Sequence, residues 1–593
     1  ASHNTGIGRN ALKLNTTGAS NTGLGDEALT ANTTGARNTA VGYQSLDANT
    51  TANENSALGV TSLGANTTGA QNTAIGYVSL NTNTTGAKNV GLGYFSLYAN
   101  TTGSNNVAVG SNALDANTTG GDNTAIGVHA LTANTTGQRN ASTGMYSLSV
   151  NTTGSYNSAH GNYALRRNTT ASNNTAMGYY ALQANTTGNA LVAVGYGALD
   201  ANTTASQNTA IGKDALGANT TGAENTAVGT SAGAATTTGA VNTFIGSSAG
   251  TTNTTGASNT ALGNSALRLN TTASSNTAIG RESIRSNTTG ANNTGVGHQS
   301  LFSNTTAADN TAVGYYALKT NTTGSDNAAL GMQSLRDNTT GASNVAIGRA
   351  ALQNNTTASN NTALGYFSLA ANTTGANNVA VGANALDANT TGAQNIAIGA
   401  GGALGVCTTG AYNIGIGYSS LAALTDAIYN VAVGADSLAS NTTGDNNVAL
   451  GTEALNSNTT ASNNTAVGKS ALAANTTADN NTALGYQAML SNTTGTNNTG
   501  IGRNSLDTNT TGAQNTSIGS LALHDNTTGD YNVANGYLAL GNNTTASFNT
   551  SIGGRSLQTN TTGANNTAVG FESLKANTTG QYNTTLGTNS LSS

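Results

Sequence analysis

Every seventeen residues this chain repeats the same short alternation of polar and apolar positions. Read from Asn4, Asn21 and Asn38 it gives NTGIGRNALKLNTTGAS, NTGLGDEALTANTTGAR and NTAVGYQSLDANTTANE. The register holds without a gap from Asn4 to Asn395, 23 intervals of 17, and again from Asn413 to Asn583, ten more. That makes 35 repeat starts, the last one partial. Counting the leading Asn as position 1, position 3 is mostly Ala, position 4 Ile, Leu or Val, position 8 Ala or Ser, and position 9 Leu. Position 5 is Gly in all 35 repeats.

Short runs of about four residues on either side of the Gly, N-T-A-I before it and Y-x-A-L after it, read as short strands. A helix over 17 residues so rich in Gly, Asn and Thr has poor propensity. One such unit cannot bury a core alone, but stacked units can, at about 4.8 Å per coil through parallel ladders. The pattern therefore predicts an all-β fold: a β-solenoid (β-roll) of 17-residue coils, running as a single continuous solenoid over residues 1–593. Its expected core is one narrow set of apolar columns at positions 3, 4, 8 and 9, with positions 4 and 9 pointing inward, represented by Ile7 and Leu12, Ile75 and Leu80, and Ile211 and Leu216. The unbroken Gly column, with Gly8, Gly76 and Gly212 as examples, predicts a corner where a Cβ will not fit.

Two Asn columns, at positions 1 and 12, suit side-chain amide ladders between coils. Position 12 is Asn in 31 of the 34 complete repeats, the exceptions being Thr236, Cys407 and Leu424. Irregularity concentrates in the coil pair at 395–429, where one repeat has 18 residues and the next lacks the N-T-T run. The unbroken rhythm on both sides reads as a bulge or bend. Gly233 and Gly250 replace Leu at position 9 in adjacent coils, which predicts that these two coils repack together.

Composition narrows the chemistry. Charged residues are 7% of the chain, the net charge is −5, and there is no Pro, no Trp and one Cys. No basic stripe supports nucleic-acid binding, and no apolar run is long enough to span a membrane. His3, His129, His160, His298 and His524 fall at different repeat positions, so the pattern offers no catalytic base and no metal-ligand set. The G-x-G pairs lack the helix and acidic residue of a dinucleotide loop. The reading is of a non-enzyme with no catalytic residues and no cofactor. His160, in the position 4 column, predicts a local packing defect. Cys407 reads as a buried small residue, with an interchain thiol contact as its rival. The N-T-T column, including Asn66, Asn83 and Asn219, also matches the N-glycosylation acceptor N-x-[ST], in competition with the ladder reading. Tyr recurs at position 6 (Tyr43, Tyr77, Tyr94, Tyr179, Tyr196 among others), either lying over a neighbouring coil or forming a carbohydrate-facing file.

The segment N-T-A-I-G-x-x-A-L resembles the head repeats of trimeric autotransporter adhesins. The longer unit resembles repeats of bacterial tail-fibre-like proteins. Those adhesin repeats are about three residues shorter, and the self-cleaving chaperone that often ends the fibre-like proteins is not found here. The resemblance implies a left-handed roll, a homotrimer and a place on a bacterial surface. With these expectations the chain reads as a structural subunit of a secreted surface fibre or extracellular filament, adhesive or matrix-forming. Its partners would be copies of itself, head to tail or as a trimer, and glycans or host or cell surfaces. Ala1 in place of Met suits a removed leader or a trimmed chain. Ala1–His3 and Asn583–Ser593 together supply most of one coil, which predicts end-to-end stacking. The rival reading is an ice- or carbohydrate-binding solenoid that uses the Thr and Asn files.

Overall fold

A computed structural model of the chain describes residues 2–592. Each coil contributes one three-residue strand at positions 2–4, from β1 (Thr5–Ile7) to β35 (Thr584–Leu586). The chain forms two compact units, Ala1–Asn293 with β1–β17 and Thr294–Ser593 with β18–β35. Within each unit consecutive strands pair in parallel, offset by one coil. Thr73, Ala74 and Ile75 face Val90, Gly91 and Leu92 in the first unit. Val448, Ala449 and Leu450 face Thr465, Ala466 and Val467 in the second. Among the described residues no helix is long and apolar enough to cross a membrane. The end-to-end composite coil rests partly on Ala1 and Ser593, which lie outside the described residues.

The strand ladder is only part of the coil-to-coil bonding. After the Gly corner the backbone does not extend. Positions 7, 9 and 17 are left-handed, as at Val78 (φ 60°), Leu80 (φ 52°) and Lys88 (φ 60°). The expected second strand, Y-x-A-L, is therefore a series of turns. These turns still bond to neighbouring coils: the Val78 amide donates to the Val60 carbonyl at 3.1 Å, and the Leu80 amide to the Ser96 carbonyl at 3.0 Å. A left-handed non-Gly residue costs about 1–2 kcal/mol. Each coil carries the strain because the same turn buries Leu and satisfies the backbone.

The core holds the expected columns at positions 3, 8 and 9 but not the one at position 4. Leu80 and Leu216 are fully buried, and Leu12, in the first coil, is half-buried. Ile7, Ile75 and Ile211, by contrast, are 59%, 38% and 40% exposed. The residue opposite Leu is the position 3 Ala, as with Ala74 and Ala210, both fully buried. Lumen width explains the correction. A methyl built on Gly6 would touch the Ala11 carbonyl at 3.6 Å and Leu12 Cδ1 at 3.7 Å. Only an Ala-sized group fits between strand and Leu. Alternate residues of a strand face opposite ways, so Ala inward sends positions 2 and 4 outward.

One coil tests this rule from within. Phe244 stands at position 3 and is fully buried. Its ring occupies the space left by Leu in two coils: a Cβ on Gly233 would lie 2.7 Å from Phe244 Cδ2, and one on Gly250 would overlap Phe244 Cε1. The two glycines repack together, around a ring contributed by the strand between them.

The Gly corner is equally constrained. All 35 corner glycines have φ between 124° and 151°. A Cβ on Gly76 would overlap the Gly93 carbonyl oxygen of the next coil, and one on Gly8 or Gly212 would overlap the corresponding carbonyl of Gly25 or Gly229.

Candidate functional site

The polar repeat builds an internal scaffold. Asn83 Nδ2 donates to Asn66 Oδ1 at 2.8 Å and to the Gly86 carbonyl at 2.9 Å. Asn72 Nδ2 reaches the same Gly86 carbonyl at 2.9 Å. Asn72 Oδ1 in turn accepts from the Asn89 backbone amide at 2.9 Å. Both Asn columns are thus buried and converge on one carbonyl in each coil. The Thr at position 13 donates to the next coil's backbone, as Thr84 Oγ1 does to the Thr101 carbonyl at 3.0 Å. The second Thr of N-T-T, such as Thr85, is exposed, while the first is half-buried in most coils.

This geometry bears on three of the rival readings. Asn66, Asn83 and Asn219 are fully buried. The amide to which a glycan would be joined already makes two hydrogen bonds in each. In the folded coil they are ladder rungs and not acceptors. An ice- or carbohydrate-facing surface cannot use the Asn files for the same reason, and the position 13 hydroxyls are occupied. Cys407 is fully buried, its thiol is pushed up to about 12 by burial, and its Sγ faces the Gly410 carbonyl at 3.6 Å. That burial removes the interchain thiol contact.

His160 also departs from expectation. It stands on the outward face, where Nε2 lies 3.1 Å from Ser158 Oγ, so it makes no core defect. His524 bridges Asp507 at 3.3 Å and Asp525 at 2.7 Å. Burial raises the Asp507 carboxyl above the usual range. Among the described residues no group of three or more His, Cys, Asp or Glu is arranged to hold a metal.

Two external features remain. The first is the outward strand face. In both units no Asp, Glu, Lys or Arg occurs at positions 2 and 4, and most residues there are Thr, Val, Ile or Leu. The second is aromatic. Tyr77 and Tyr94 at position 6 stack at 5.6 Å, and Tyr179 and Tyr196 at 5.8 Å. Rings also occur at position 7, where His129, Tyr146 and Tyr163 follow one another at 5.0 and 5.6 Å. The repeat consensus hides this second column because position 7 is otherwise variable.

The architecture defines the protein as a parallel β-solenoid with an amide-laddered interior. No protein-family model matches the chain, and no curated protein matches it.

Proposed function

We propose that the protein is a structural subunit of a bacterial surface fibre or extracellular filament, built by lateral association of copies of this chain through the outward strand face. The observation that carries this reading is the outward, mostly apolar column at position 4, exposed or half-buried in coil after coil, with no Asp, Glu, Lys or Arg in it or at position 2. Isolated surface Leu or Ile is ordinary, but a contiguous apolar patch marks an interaction surface. A partner must offer apolar groups at the same coil spacing over the same length, and a second copy of the chain does so by construction of its sequence. Extracellular placement and an adhesive or matrix role belong to the same proposal. Stacking along the coil axis is a second mode of assembly that the same experiments detect.

Analytical ultracentrifugation with electron microscopy tests this reading. Wild type is expected as oligomers or bundles. A variant carrying Ile75→Asp, Val109→Asp and Ile211→Asp is expected to sediment as a monomer with unchanged far-ultraviolet circular dichroism. A wild-type protein that stays monomeric at high concentration overturns it.

A further inference from the structure

A second surface lies past the Gly corner from the strand face and does not depend on assembly. In the first unit one row of aromatic rings crosses five successive coils without interruption. His129 stacks on Tyr146 at 5.0 Å, Tyr146 on Tyr163 at 5.6 Å, and Tyr163 meets Tyr179 at 6.0 Å and Tyr180 at 5.4 Å. Tyr179 continues to Tyr196 at 5.8 Å. Tyr179 and Tyr196 are exposed, and the other rings are half-buried. Five coils place this row over roughly 20 Å.

Cations flank the row. The Arg166 guanidinium lies 5.4 Å from the Tyr163 ring centre and 5.7 Å from that of Tyr146, and Lys213 Nζ lies 6.0 Å from that of Tyr196. Arg167 follows Arg166 and is exposed. Among the described residues neither Arg166 nor Arg167 pairs with a carboxylate, whereas Arg9, Arg37, Arg139, Arg336 and Arg555 all do. The sequence explains why: no Asp or Glu occurs between Asp122 and Asp200, in a chain with 23 acidic residues. At the far end Lys213 meets Asp214 at 3.8 Å, and the cationic stretch stops.

We propose that this row binds an acidic polysaccharide. Because successive rings stack on one another, their faces are largely covered, and what the row offers a sugar is ring edges for its C–H groups and phenol hydroxyls that can bond to sugar hydroxyls. Free guanidinium groups take carboxylates in paired hydrogen bonds. An elongated ligand suits a row that runs along the coils and encloses no pocket. Rings outnumber cations here. Single-stranded nucleic acid also stacks on aromatic side chains, but it draws most of its affinity from several Lys and Arg at phosphates. The surface has too few for that.

Binding is read from tyrosine fluorescence, which no Trp obscures in this chain. The probes are oligogalacturonate, a neutral dextran oligomer and oligo-dT, each titrated into the full protein at low and high salt. Saturable, salt-sensitive binding of oligogalacturonate is expected. Tyr163→Ala and Arg166→Gln should each weaken it by about tenfold or more. Tyr486→Ala, in the second unit, should leave it unchanged. Tyr163→Phe should retain most of the affinity and guards against a folding failure in Tyr163→Ala. Absence of oligogalacturonate binding, equal binding of dextran, preference for oligo-dT, or equal loss in Tyr486→Ala each overturns the proposal.

Discussion

The coils from Asn15 to Asn219 and the pair at 395–429 solve the same stacking problem with different interiors. In the first region the position 12 amides form one uninterrupted run, from Asn32 bonding Asn15 at 2.8 Å to Asn219 bonding Asn202 at 3.0 Å. In the second, Cys407 and Leu424 replace two rungs. A Cβ on Gly410 would lie 3.0 Å from both Cys407 Sγ and Leu424 Cδ2, so thiol and side chain fill the rung positions. The extra residue falls in the turn after the Gly399 corner, where Gly401 and Gly402 take φ of 78° and 81°. Strand register continues regardless, with Ile396 facing Ile414. The strands and the Gly corner are therefore invariant, while turn length and amide ladder are negotiable.

The sharpest way to break this distinction is at the corner. Gly76→Val places a branched side chain against the Gly93 carbonyl at a φ that suits only Gly. We expect a local loss of about 3 kcal/mol or more. Hydrogen exchange should show it confined to adjacent coils, because contacts are nearest-neighbour. In the irregular coil, the nearest atoms to a Cβ on Gly401 belong to the ring of Tyr418, which is exposed and able to move. Its expected cost is about 1 kcal/mol. Loss of exchange protection throughout the chain after Gly76→Val would contradict the nearest-neighbour account.

Next in size is the contrast between the two apolar columns. Leu80→Ala should cost about 2–5 kcal/mol, since it empties the lumen. Ile75→Ala, measured on dispersed monomer, should stay near about 0.5 kcal/mol. Its effect should appear in sedimentation instead. Equal destabilisation by the two would return position 4 to the core.

These columns also show where the sequence is legible. The 17-residue period, the Gly corner and the Asn ladders follow from unbroken columns, because only stacked coils require the same residue at the same place each time. The side of the strand that faces inward is not legible from hydrophobicity. T-A-I invites Ile into the core, and only the lumen width, set by Leu on a left-handed backbone, excludes it. A partial signal exists. Position 17 is often Asn or Asp, as at Asn105, Asp122, Asn173 and Asn360, and these residues tolerate left-handed φ. Leu at a left-handed φ, as at Leu80 (52°), has no such signature. The aromatic row escapes a reading by columns because it passes from position 7 (His129, Tyr146, Tyr163, Tyr180) to position 6 (Tyr179, Tyr196), so no single column displays it.

The interior of the irregular pair gives a chemical check on burial. Native protein should resist alkylation at Cys407 at about pH 8, since the thiol is buried and held up to about 12. Unfolded protein should label readily, because a free thiol titrates near about 8.5. Rapid labelling of native protein would show that the pair opens far more easily than its neighbours.

The smallest expected effect is a gain. Asn389 Oδ1 is buried without a partner because Cys407 follows it. On the other side Asn441 Nδ2 reaches only the Gly444 carbonyl, at 2.9 Å. The combined change Cys407→Asn and Leu424→Asn would restore three amide-to-amide bonds and satisfy the orphaned oxygen, while giving up one apolar contact. A net intramolecular hydrogen bond contributes about 1 kcal/mol, and an unsatisfied buried group costs about 1–3 kcal/mol. Since the lost contact offsets part of this, the double variant should gain about 1 kcal/mol, read as slower exchange in peptides covering 395–429. Leu424→Asn alone should gain less than the double variant, because it restores only the bond from Asn441 while its own amide nitrogen would face the Cys407 thiol. If the single variant stabilises as much as the double, the ladder is not what distinguishes these coils, and the packing of Cys407 against Leu424 matters more than the missing rungs.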